Sequence, residues 1–131
     1  MKVQARNPKK VYVMDTGIYT KTSISTSENS GRRFENLIFL HLRRKYTQLF
    51  YYRDRGECDF IALKKNSIKE AIQVCFTVND ENFEREYNGL LEAMLDLGLE
   101  EGTIVTLNQS DRFEKDGKVI NMVPAHDYLI T

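Results

Sequence analysis

Long hydrophobic runs are missing from this chain. No apolar stretch approaches the ~18 residues that a membrane-spanning helix requires, and the N-terminal stretch MKVQARNPKK lacks the apolar centre of a secretory signal. A membrane partner is therefore not expected. Cysteine is scarce: two residues in 131 cannot build a disulfide framework, so a reducing, cytoplasmic setting is expected. No GxxxxGK[ST] segment occurs, so no phosphate-cradling P-loop is present. No internal repeat is visible either. His126 has no Cys or His at ligand spacing, which argues against zinc. His41 falls on an apolar stripe and reads as a satisfied core histidine.

What is present is the make-up of a globular protein, 41% apolar and 29% charged. A chain of 131 residues is expected to form one domain (1–131) whose core buries about two thirds of the unfolded surface. Its net charge of zero conceals an asymmetry. Met1 to Arg53 holds eleven Lys or Arg against three acids (+8), whereas Asp54 to Thr131 holds eight against sixteen (−8). A basic half can mark a nucleic-acid face, because phosphate neutralisation supplies most non-specific affinity. It can equally reflect two halves that attract, or solvated helix faces.

Periodicity orders the elements. Lys9 to Met14 reads as a strand ended by a turn at Asp15-Thr16-Gly17, within a lead-in segment 1–20. The Ser/Thr-rich stretch that follows, 21–30, is expected to be a flexible loop. Ser30 would cap a helix from Gly31 to Tyr46 with an apolar stripe of Phe34, Leu37, Ile38, His41 and Leu42. Strands are expected over Leu49–Arg53, Cys58–Leu63 and Ile68–Val78. A helix capped by Asp80 and ended by Gly98 or Gly102 comes next. Strands Thr103–Leu107 and Lys118–Val123 flank a polar loop, Asn108–Gly117, and Pro124 opens a last short helix. This order predicts an α/β fold, a mixed central sheet flanked by helices.

Three polar residues interrupt apolar patterns. Glu35 lies at the border of the helical stripe. Asp59 and Gln73 interrupt two strands of "ECDFIALKKNSIKEAIQVCF" (57–76), and a hairpin turning at Asn66 would pair residues whose numbers sum to 132. Asp59 then faces Gln73, with Gln73 and Cys75 on one face. The same register puts Cys58 and Cys75 on opposite faces. Glu35 and Asp59 could supply two hard oxygen ligands to Mg²⁺ or Mn²⁺, with Glu57 as a spare carboxylate of the same parity as Asp59. Gln73 offers only a neutral oxygen, and Cys75 stands where a cation would serve the attacked phosphate. An acid and an amide sharing one hydrogen bond at a sheet face is the plainer alternative.

The helical Gly31-x-x-x-Glu35-Asn36, the strand Glu57-x-Asp59-Phe60 and the polar pair Gln73-x-Cys75 resemble the core of the PD-(D/E)XK nucleases. More narrowly, "NPKKVYVMDTGIYT", "GRRFENLIFLHLRRK", "YYRDRGECDFI", "EAIQVCF" and "FEREYNGLLEAM" resemble, in order, the blocks of the C-terminal domain of unknown function carried by predicted AAA-type ATPases of bacteria and archaea. The resemblance implies an upstream ATPase module and a PD-(D/E)XK nuclease-like core. It matches Glu35 and Asp59 to the family's acids, Gln73 to the Glu of its E-x-K motif and Cys75 to the Lys. The last two are departures, and they predict a degenerate site at Glu35, Asp59, Gln73 and Cys75.

Three functions follow as expectations. The first is a non-catalytic accessory domain binding DNA or RNA through Arg32, Arg33, Arg43, Arg44, Lys45 and Arg53. The second is an active Mg/Mn-dependent nuclease. The third is a protein-interaction module using the acids Asp80, Glu81, Glu84, Glu86, Glu92 and Asp96. Arg85 and Glu86 would make polar contacts across the sheet face or lie at the surface.

Overall fold

A computed structural model describes residues 10–14 and 28–131. The expected turn at 15–17 and most of the 21–30 loop lie outside the described residues. Seven strands form one mixed sheet: β1 (Val11–Val13), β2 (Gln48–Arg53), β3 (Glu57–Lys64), β4 (Ser67–Val74), β5 (Glu101–Thr106), β6 (Asp111–Lys115) and β7 (Lys118–Pro124), in the order β1-β2-β3-β4-β5-β7-β6. β4, β5 and β7 run parallel to one another, and the remaining pairs are antiparallel. Helices α1 (Glu28–Lys45), α2 (Phe83–Leu97) and α3 (Ala125–Tyr128) flank the sheet. The expected α/β class is what forms.

The sheet is covered on both faces, and each face has its own core. Leu90, Ala93, Met94 and Leu97 of α2 pack with Tyr52, Cys58, Ile61, Ala71 and Ile104. Phe34, Ile38, Phe39 and Leu42 of α1 pack with Phe60, Ala62, Ile72 and Val74 on the other side, where Tyr128 of α3 joins them. Burial on two faces explains why β3 reads as a near-continuous apolar run rather than an alternating one.

Turn chemistry sets the two tight hairpins. Lys65 and Asn66 both take positive φ (55° and 64°), the twist that joins right-twisted strands in two residues. Asp116 (51°) and Gly117 (80°) do the same between β6 and β7. Strand β6 therefore occupies what periodicity treats as the polar loop Asn108–Gly117. The Asp-Gly pair between DRFEK and KVINM was the signal for it, masked because β6 is an exposed edge strand with one half-buried residue, Phe113.

Other boundaries also differ from expectation, among them Pro124, which ends β7 and precedes α3 instead of opening it. Helix α1 begins at Glu28, so Ser30 lies inside it and is not its cap. Strand β4 ends at Val74 rather than Val78. Asp80 does not cap α2. The side chain of Asn79 takes the Glu81 and Asn82 amides (2.9 and 3.0 Å), Asn82 returns a bond to the Asn79 amide (2.9 Å), and α2 starts at Phe83. Gly98, at φ 73°, ends α2 as expected, while Gly102 lies within β5.

The buried stripe of α1 is rotated from the expected one. Leu37 is 45% exposed, whereas Glu35 and Phe39 are both 4% exposed. At ~100° per residue the buried arc runs from His41 through Phe34, Ile38 and Leu42 to Glu35 and Phe39, leaving Leu37 outside. Phe39 stacks on Phe60 of β3 at 6.2 Å between ring centres, and that contact rolls Glu35 inward.

Candidate functional site

The hairpin β3–β4 keeps the 132 sum from Ala62↔Glu70 to Phe60↔Ile72, with a one-residue slip nearer the turn. Beyond Phe60↔Ile72 no backbone pair continues the ladder, and side chains take over. The Asp59 amide donates to Gln73 Oε1 (2.9 Å), and the Val74 amide donates to Asp59 Oδ2 (2.8 Å). Asp59 and Gln73 thus meet as their spacing predicts, but each side chain bonds the other strand's backbone. The strands fork here, and an acid and an amide bridge the fork. A carboxylate accepting a backbone N–H is a charge-assisted bond, stronger than the ladder bond it replaces.

A bulge makes the fork. Phe50 pairs with Ile61 and Tyr52 with Cys58, so Tyr51 alone opposes both Asp59 and Phe60. The extra residue reverses the alternation. Phe60 turns to the α1 side, while Cys58 joins the α2-side core that Cys75 also packs against. This corrects the expectation that the two cysteines face opposite ways. Even so, neither thiol is part of a disulfide. Burial pushes the Cys58 thiol well up, and its Sγ lies 3.5 Å from the Ile72 carbonyl oxygen.

Gln73 is nearly enclosed, at 2% exposure, and points to α2. Its Nε2 donates to the Glu57 carbonyl (2.7 Å) and to the Glu86 carbonyl in the first turn of α2 (3.0 Å). Both amide protons are spent, and the oxygen faces the Asp59 N–H. Gly89 makes this approach feasible, because a Cβ there would collide with the Glu57 carbonyl oxygen and press on Gln73 Nε2. Only glycine lets α2 seat so closely on β3.

Glu35 is buried on the opposite side, on α1. Its neighbour Phe34 meets Phe76 edge-on at 5.5 Å, which sets the first half of α1 over the fork end of β4. The four motif positions sit on different elements. Glu35 lies under α1, Gln73 and Cys75 face α2, and Asp59 is held in the plane of the sheet. Cys75 is half-buried with its Sγ 3.3 Å from the Thr77 carbonyl oxygen. Glu57 is exposed and pairs with Arg53 at 3.4 Å. Among the described residues no three His, Cys, Asp or Glu side chains are placed to hold one metal ion. The position that should add charge supplies instead an amide whose NH₂ is committed to two carbonyls and whose oxygen accepts the Asp59 N–H.

The six expected cations divide into two groups. Arg32 and Arg33 sit on the first half of α1, and Arg43, Arg44 and Lys45 about 16 Å further along the helix at 1.5 Å per residue. A two-residue connection turns the chain back into β2, so Arg53, at its end, lies at the fork end with Arg32 and Arg33. Lys45 is engaged, 3.7 Å from Glu70 and over the Tyr46 ring at 5.5 Å.

The expected acidic surface is partly internal. Glu92 takes the Gly56 amide (2.8 Å), Asp96 takes Lys10 (3.1 Å) and the Tyr52 hydroxyl, and Glu86 is buried beside Arg85 (3.2 Å). The hydrogen bond from Tyr52 holds the Asp96 carboxyl below its usual range. Glu92 and Asp96 fasten α2 to the sheet, and of the six acids only Asp80, Glu81 and Glu84 are exposed.

At the far end, the hydroxyls of Tyr46 and Tyr128 both donate to Glu70. His41 meets Tyr128 at 5.5 Å, but its buried Nε2 finds no hydrogen-bond partner among the described residues. It is a core histidine, as expected, though not a fully satisfied one. His126 is exposed, 3.5 Å from Asp127.

An uncharacterized protein of Methanocaldococcus jannaschii is 38% identical over 93% of this chain. The chain spans 29% of that relative's length. No family model and no solved structure matches the chain. Among the described residues no helix is long and apolar enough to cross a membrane.

Proposed function

We propose that this chain is a nuclease-like accessory domain of a longer AAA-type ATPase, with a degenerate cleavage site and a capacity to bind nucleic acid. The observation that carries the reading is the use of Gln73. At the position where the resembling nucleases carry a metal-binding Glu, this side chain ties β3 to α2 through the Glu57 and Glu86 carbonyls. A site whose third ligand has become a structural strut has little means of gathering a divalent cation. Membership in a longer chain is supported by the archaeal relative, of which 71% lies outside the matched region. Exposed Arg32, Arg33 and Arg53 at the fork end supply the phosphate contacts.

Calorimetric titration of Mn²⁺ into the protein and its Asp59→Asn variant tests the first half. No stoichiometric binding is expected in either. About one Mn²⁺ per chain, lost in the variant together with DNA or RNA cleavage, would instead establish a working Mg/Mn nuclease. Oligonucleotide affinity measured against salt tests the second half. The log–log slope should flatten by about one to two on Arg32→Ala/Arg33→Ala. A salt-sensitive complex with the ATPase module and none with nucleic acid would favour a regulatory protein-interaction domain.

A further inference from the structure

The outer faces of the two long helices match each other, and they lie on opposite sides of the sheet. On α1, Arg33, Leu37, Leu40 and Arg44 follow at intervals of four, three and four residues. That spacing puts them on one stripe within about 60° of arc and about 16 Å long. All four are exposed, Leu37 by 45% and Leu40 by 51%. From Gly31 to Lys45 the single acid, Glu35, is buried. The stripe is apolar at its centre and basic at both ends. On α2, Glu84, Asn88, Leu91 and Leu95 have the same intervals and so the same length. Glu84, Asn88 and Leu95 are exposed, Leu95 by 60%, and Leu91 is half-buried. The single cation of α2, Arg85, is paired with Glu86 at 3.2 Å, and exposed Asp80 and Glu81 extend the acidic end just ahead of the helix.

Alternating steps of four and three make the seam along which two helices interdigitate. Laid antiparallel, α1 of one copy on α2 of a second sets Leu37 against Leu91, Leu40 against Asn88 and Arg44 against Glu84. The basic last turn of α1 then meets the acidic start of α2, and the opposed helix dipoles add to the attraction. Two α1 faces laid antiparallel would bring Arg33 against Arg44, and two α2 faces would offer Glu84 no opposite charge. Phosphates are met by cations and hydrogen-bond donors, and the leucines have no part in that. We infer that this chain self-associates head to tail, the α1 stripe of one copy seated on the α2 stripe of the next. Because the two faces lie on opposite sides of the sheet, each added copy presents a fresh face. The contact therefore propagates and does not close at a dimer.

Two stripes of this length cover less than the ~800 Å² per partner of a standard interface, so association is expected at about 10–500 μM. Sedimentation velocity of the 131-residue protein, without nucleic acid, should give a coefficient that rises past that of a dimer, less so at high salt. Leu37→Ser/Leu40→Ser and, separately, Glu84→Ser/Leu95→Ser should each weaken association about tenfold or more. Mixed together, these two variants should form a complex that stops at one-to-one, because each keeps the face that the other has lost. Arg44→Glu should weaken association about fivefold, and Glu84→Arg in the same chain should restore it. Arg32, Arg33 and Arg53 are unchanged throughout, so oligonucleotide affinity should stay as it is while self-association is lost. Carbodiimide coupling of isotope-labelled with unlabelled unaltered protein covers the case in which a variant fails to fold. Mixed-isotope crosslinks from Lys45 to Asp80, Glu81 or Glu84 support the contact, and mixed crosslinks confined to other surfaces overturn it. A protein still monomeric at about 1 mM overturns it too. So does an assembly that closes at a dimer, a pair of variants that do not combine, or the absence of rescue by Glu84→Arg. Unchanged assembly in Leu37→Ser/Leu40→Ser, with binding to phosphatidylserine vesicles lost, would overturn it in favour of a lipid surface.

Discussion

At Gln73, restoring the acid of the resembling motif should not restore a site. A carboxylate at that position would face the carbonyl oxygens of Glu57 and Glu86 in place of an NH₂ that donates to both. Two hydrogen bonds that tie α2 to β3 would be lost and a buried carboxylate would face two carbonyl oxygens, at about 1–3 kcal/mol for each lost bond. Gln73→Glu is therefore expected to lower stability by about 2–5 kcal/mol near pH 7, read as a fall in the urea midpoint, without gaining Mn²⁺ affinity. His41 makes a second residue-scale prediction. Burial, then the nearby Lys45 and Arg44 charges, lower its pKa below 6.5, while Glu70 acts the other way. Below pH 6.5 the unfolded chain takes up a proton that the folded chain resists, so stability is lost as pH falls through that window. His41→Phe, which can keep the ring contact with Tyr128, should remove that slope between pH 7.5 and 5.5. Sequence reasoning reached His41 as a core residue from its place on the α1 stripe. It could not reach the orphaned Nε2, which depends on what α3 and β4 bring alongside.

The elements depend on close approaches more than on propensity. Helix α2 seats on β3 at Gly89, where any side chain would strike the Glu57 carbonyl oxygen and the Gln73 amide. Gly89→Ala removes a helix-weakening glycine, which in an exposed helix gains about 1 kcal/mol. Here it should destabilise by at least about 1–3 kcal/mol through overpacking. Thermal melts would separate the two outcomes by sign. The apolar spacing from Phe83 to Leu97 made α2 readable. The meaning of Gly89 was not, because nothing in its neighbourhood along the chain announces a backbone 32 residues earlier. The β3 bulge belongs to the same class. Period-two alternation predicts the Asp59–Gln73 meeting correctly and misplaces Cys58, since one inserted residue flips everything on its far side.

The molecule as a whole is a sheet buried on both faces, and its two thiols report on that burial differently. Cys58, at 1% exposure, is sealed within the α2-side core, whereas Cys75 lies half-buried near the end of that core. Thiol-labelling kinetics should show Cys75 reacting in the folded protein. Cys58 should react only through unfolding, with a rate that rises with urea in step with the equilibrium transition. Two fast thiols in the native protein would contradict the packing described. Sequence alone determined the element order apart from the edge strand β6, the α/β class, the division of charge and the residues that break the apolar pattern, because these follow from local periodicity and composition. Tertiary structure decided what those residues do. Whether Glu35, Asp59 and Gln73 share a site depends on a bulge, on the roll of α1 and on the depth at which α2 packs. Each of these is set by contacts between segments far apart in the chain.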